Sequence, residues 1–80
     1  MALRFGIIGA GNMGKLHSHN LMRIPDTEIA WVTDVNPEVG ERLAKEIGCS
    51  FVKDWEKKLD EVDAVVVCTP PFAHCREIVR

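Results

Sequence analysis

Apolar residues in this chain fall into two kinds of pattern. Leu3 to Ile8 is an almost continuous apolar run that stops at Gly9, and Ala64 to Cys68 reads Ala-Val-Val-Val-Cys without interruption. Unbroken runs of this length suit strands covered on both faces, and the β-branched valines favour strand over helix. Between them the apolar positions follow a helical period. Met13, Leu16, Leu21 and Ile24 predict a helix from about Asn12 that Pro25 stops. Val39, Leu43, Ala44 and Ile47 predict a second, with Asn36 as N-cap, Pro37 in the first turn and Gly48 as its stop. Glu28–Thr33 and Cys49–Val52 read as further strands, and Asp54 is expected to cap a helical turn through Leu59 ahead of the acidic loop from Asp60 to Asp63. Thr69, Pro70 and Pro71 break the last strand, after which Phe72, Cys75, Ile78 and Val79 predict the start of another amphipathic helix, unfinished at Arg80.

Strands alternating with helices through short connections specify an α/β fold with right-handed crossovers. The expected architecture is a Rossmann-type doubly wound parallel sheet of strand order 3-2-1-4. At 80 residues, 46% hydrophobic and 28% charged, the chain has room for one small domain. Residues 1–80 are read as the N-terminal part of such a domain. A formal net charge of −2 supplies no basic field for nucleic acid, and no apolar run approaches the roughly 18 residues that span a membrane. Met1 to Gly6 shows none of the regions of a signal peptide, which points to a cytoplasmic protein. Cys49, Cys68 and Cys75 form no CxxC pair, and an odd count favours free thiols.

The chemistry concentrates at Gly9-Ala10-Gly11-Asn12-Met13-Gly14, a GxGxxG between a predicted strand and a predicted helix. A helix N-terminus offers unpaired N–H groups and the positive end of a dipole to a pyrophosphate. In that arrangement Gly9 makes the turn, Gly11 admits the phosphates and Gly14 lets the helix approach the sheet. Asp34 stands 20 residues beyond Gly14 at the end of the next strand. A carboxylate there accepts ribose hydroxyls and repels a 2′-phosphate, so NAD is expected rather than NADP. The plainer alternative is that Asp34 caps a turn with Asn36. Thr69, Pro70 and Pro71 fall where the strand order reverses, either as a wall of the nicotinamide side or as a turn leading into the next helix. His17 and His19 are two apart on a helix, face different ways and share no metal; no metal site is expected. His17 is read as a hydrogen-bonded packing residue and His19 as solvated. His74 lies near the mouth of the presumed site. Cys68 and Cys75 are read as core packing, and Lys57-Lys58 with Asp60-Glu61 as a solvated face.

Taken together, Phe5 to Gly14, His17, Val32 to Pro37, Val62 to Pro70 and His74 give a segment that resembles the N-terminal domain of the glucose-fructose oxidoreductase and inositol 2-dehydrogenase (Gfo/Idh/MocA) family over essentially its whole length. The resemblance implies a dehydrogenase or reductase moving hydride between nicotinamide and a sugar, cyclitol or related carbonyl compound. It also implies a C-terminal α/β domain that binds the substrate and mediates self-association. Cofactor roles carry over to Gly9, Gly11, Asn12, Met13, Gly14, Asp34, Thr69 and Pro70, and less directly to Pro71 and His74. The family's catalytic lysine lies in a Glu-Lys-Pro segment following the stretch that ends here at Arg80. No catalytic residue is therefore assigned, and the segment alone is expected to be inactive. Two alternatives stand beside this: a non-catalytic nicotinamide-sensing regulator on the same fold, and an enzyme of the hydroxyacid dehydrogenase or pyrroline carboxylate reductase type, which share the Gly-Asn-Met-Gly wording.

Overall fold

A computed structural model describes residues 3–69 and 74–79. Its elements run β1 (Leu3–Ile8), α1 (Asn12–Met22), β2 (Thr27–Thr33), α2 (Pro37–Ile47), β3 (Ser50–Phe51), a 3₁₀ helix (Trp55–Glu61), β4 (Ala64–Thr69) and β5 (His74–Val79). They form one sheet of order β3-β2-β1-β4-β5, in which the first four strands are parallel in the expected 3-2-1-4 order. The continuous apolar runs become its two central neighbours, β1 and β4, paired Phe5 with Ala64 through Ile8 with Val67.

The two sides of the sheet are covered differently. Phe5, Ile7, Val32, Ala64, Val66 and Cys68 meet Leu43 and Ala44 of α2 in one core, with Leu21 of α1 and Ile47 packed at its edge. Trp31, Val62 and Val65 form the second core, flanked by Trp55 and Leu59 of the 3₁₀ helix. Right-handed crossovers explain the division: growth from β1 to β3 puts α1 and α2 on one side, and the return to β4 crosses the other. Ile7 and Val32 are fully buried, each contributing on the order of 1.5–3 kcal/mol. Trp31 lies across Gly6, where any Cβ would overlap its ring, and its indole N–H donates to the Lys58 carbonyl at 3.3 Å. The β1–β2 register slips between Phe5 and Gly6, which brings Trp31 opposite that glycine.

α2 has the predicted ends. The Asn36 side chain accepts from the Glu38 N–H, Pro37 follows it, and Gly48 closes the helix at φ 88°. α1 departs from expectation. Leu16 and Ile24 are half exposed, and the buried positions among its described residues are Gly14 and Ser18, whose hydroxyl donates to the Gly14 carbonyl at 2.7 Å. The close approach at Gly14 sets small residues against the sheet, with Leu21 of the apolar set packing at the core's edge. Asp54 precedes the 3₁₀ helix without capping it through its side chain; its backbone carbonyl accepts from Lys57 N–H instead.

The last predicted helix is a strand. β5 pairs antiparallel with β4, from Ala64 opposite Val79 to Thr69 opposite His74. Six residues would make under two turns of helix, marginal without packing, whereas β4 offers a full row of ladder partners. The expectation of free thiols holds for Cys49 and fails at Cys68, which is disulfide-bonded and has Cys75 as its register partner. Cys68 does lie in the core, as expected. Among the described residues no helix is long and apolar enough to cross a membrane.

Candidate cofactor site

β1 lies between β2 and β4, so the connection leaving its carboxyl end enters the crevice where the sheet changes direction. Gly9 makes that exit with φ 99°, and a side chain on it would collide with the Cys68 carbonyl at the end of β4. The turn then doubles back: a side chain at Gly14 would run into the Gly9 carbonyl. Two of the three fingerprint glycines are therefore required by the protein's own backbone.

Gly11 is different. A Cβ built there meets nothing within 4 Å. The fold would tolerate a side chain at this position, and the open space lies over the start of α1. Gly11 is the helix N-cap, with extended backbone at φ −72° and ψ −163°, no side chain caps the helix, and its first turn carries no acidic residue. Among the described residues, no side chain therefore accepts from the leading N–H groups of α1. An anion with several acceptor oxygens fits such an end, and a pyrophosphate is such an anion.

Asp34 follows the last residue of β2 and is half-buried. Its Oδ2 accepts the Ala10 N–H at 2.7 Å and its Oδ1 accepts the Asn36 N–H at 2.8 Å. The turn-capping contact with Asn36 therefore exists, together with a long-range contact to the fingerprint turn. Each oxygen has a further lone pair for a ribose hydroxyl. Thr69 ends β4, one residue past the carbonyl beneath Gly9, and so flanks the same crevice. Pro70 and Pro71 lie outside the described residues. His74 opens β5 opposite Thr69 in register, at the sheet end where the crevice lies.

The other histidines are separate from this group. His17 is half-buried, and among the described residues its ring has no hydrogen-bond partner, contrary to expectation. His19 does more than face solvent. Its Nε2 lies 2.6 Å from Glu46 Oε2, and Lys15 Nζ lies 3.3 Å from the other oxygen of Glu46. Those two contacts, the His19 hydrogen bond foremost, hold the Glu46 carboxyl below the usual carboxylate range. Burial pushes the Cys49 thiol up, away from thiolate reactivity at neutral pH.

Known proteins place this geometry. An inositol 2-dehydrogenase of Rhizobium meliloti (strain 1021) is 36% identical over the whole of this chain, which covers 24% of it. A UDP-N-acetylglucosamine 3-dehydrogenase of Acidithiobacillus ferrooxidans is 35% identical over 90% of the chain and 22% of its own length. The crystal structure of GenD2 from gentamicin A biosynthesis, solved in complex with NAD, superposes with a TM-score of 0.81 at 34% identity, over 86% of this chain and 20% of that one. The chain thus spans less than a quarter of each of these proteins. Residues 3–79 match the family described as "Oxidoreductase family, NAD-binding Rossmann fold", and the chain belongs to that Gfo/Idh/MocA family.

Proposed function

We propose that the segment holds NAD for a hydride transfer between nicotinamide and a sugar, cyclitol or related carbonyl compound. The substrate, the catalytic residues and any self-association belong to the remainder of the protein. The observation that carries the reading is the uncapped start of α1 at Gly11, open to solvent on one side and tied to Asp34 on the other. In this reading the N–H groups of the first turn, Gly11 to Gly14, take the pyrophosphate. Asp34 takes the adenosine ribose, and its negative charge together with the lack of Lys or Arg at Val35, Asn36 and Pro37 favours NAD over NADP. Thr69, Pro70, Pro71 and His74 would border the nicotinamide side. The relatives named for inositol and for a sugar nucleotide support a polyhydroxylated substrate. A cytoplasmic setting suits a protein drawing on that cofactor pool.

Calorimetric titration of the full-length protein with NADH and NADPH tests the first step. Tighter binding of NADH is expected, followed by substrate-dependent change in reduced-nicotinamide absorbance with inositols or sugars. Failure to bind either cofactor refutes the reading; binding without turnover on any polyol identifies a nicotinamide-sensing regulator instead.

A further inference from the structure

We infer that Asp34, besides the ribose role proposed above and on which this inference rests, is the positioning residue of the phosphate-binding turn. Two successive N–H groups of the turn are held by the end of β2: Gly9 donates to the Thr33 carbonyl at 2.9 Å and Ala10 donates to Asp34 Oδ2 at 2.7 Å. The second of these is the only one made by a side chain, and it joins residues 24 apart in sequence. Ala10 is buried, so its N–H has little water to turn to if Asp34 is lost. The other oxygen of Asp34 holds the entry to α2 through Asn36. One carboxylate therefore spans the turn that precedes α1 and the turn that precedes α2.

The residue type follows from the donor count. Two backbone N–H groups approach from two directions, and only a carboxylate offers both an acceptor and the reach. Asparagine keeps one acceptor and sets an NH₂ against the other N–H. Serine has one oxygen and is too short to bridge both turns. The consequence is a coupling: whatever changes the adenosine ribose contact at position 34 also changes how firmly Gly9 to Gly11 are held for the pyrophosphate. Replacing Asp34 to admit NADP should thus weaken dinucleotide binding in general.

Amide hydrogen exchange of the cofactor-free, full-length protein reads the positioning role without any ligand. In Asp34→Ser the Ala10 N–H should exchange about tenfold faster or more, the ratio expected for one lost hydrogen bond, while the Gly9 N–H changes much less. Affinity for an NADH analogue lacking both adenosine ribose hydroxyls is the second readout. A residue acting on the ribose alone gives wild type and Asp34→Ser equal affinity for the analogue; a positioning residue leaves the variant several-fold weaker. Asp34→Asn, nearly isosteric, should fall between the two in both measurements and serves if the serine variant does not fold. Unchanged Ala10 exchange, or equal analogue affinity, overturns the inference. Wild-type protein that binds neither NADH nor the analogue overturns the cofactor reading instead, a separate result from the exchange experiment.

Discussion

The starts of α1 and α2 occupy equivalent places in consecutive strand-to-helix connections on one side of the sheet, yet they are built in opposite ways. α2 is closed locally: Asn36 caps it, Pro37 removes one donor and Glu38 adds a negative charge to its first turn. α1 has a glycine at the cap, no capping side chain among the described residues and no acidic residue in its first turn. Side chains satisfy the α2 start, whereas among the described residues none caps the α1 start, which the proposed reading gives to the pyrophosphate. In that reading the difference separates a structural helix start from a cofactor-binding one, and it lies in side chains rather than topology.

The glycines give the sharpest way to break that comparison. Gly14→Ala sets a Cβ into the Gly9 carbonyl, a clash between backbones that no rotamer relieves. Its expected cost is about 3 kcal/mol of stability, at the upper end of overpacking effects, read from denaturant unfolding of the full-length protein. Gly11→Ala meets nothing in the fold. Its melting temperature should stay near wild type while NADH affinity falls about tenfold, some 1.4 kcal/mol. Should Gly11→Ala destabilise as much as Gly14→Ala, the open position would be structural after all and the contrast would collapse.

At the closed end the expectation reverses. Asn36→Ala removes the acceptor for the Glu38 N–H and should cost about 1 kcal/mol of stability. It leaves the donors at the start of α1 untouched, so NADH affinity should change far less than in Gly11→Ala. A large loss of affinity with unchanged stability would mean that the start of α2 also contacts the cofactor directly.

Much of this was legible from residue types alone. Continuous apolar runs, the Asn36-Pro37 start and the Gly48 stop each have a local physical cause, and each appears where the pattern puts it. The fingerprint also locates the crevice, because Gly9 and Gly14 are demanded by backbone proximity. Non-local features escaped. Among the described residues of α1 the fully covered ones are Gly14 and Ser18, while Leu16 is half exposed and Leu21 only edges the core, since a close helix approach selects small residues and periodicity counts only apolar ones. The bond from Ala10 to Asp34 needs a fold to bring it together. At β5 a pattern read as helical yielded to the unfilled edge of β4.

An exposed contact between the two helices tests whether their starts differ through local chemistry or through how the helices pack. Lys15 and His19 of α1 meet Glu46 near the end of α2 on an exposed surface. Because the Glu46 carboxyl is held below its ordinary range in the folded chain, its ionised form is favoured by folding. The stabilisation is accordingly present above the usual carboxylate range and lost as pH falls through the lowered folded value. Glu46→Gln should therefore be slightly less stable than wild type near neutral pH and indistinguishable from it in acid, and added salt should narrow the gap. NADH affinity should not move, since Glu46 lies near the end of α2 and its carboxyl meets the Lys15 and His19 side chains rather than the N–H groups at the start of α1. A Glu46→Gln protein with weakened NADH binding at unchanged stability would mean that the spacing of the two helices, and not the missing cap at Gly11, sets the affinity of the open end.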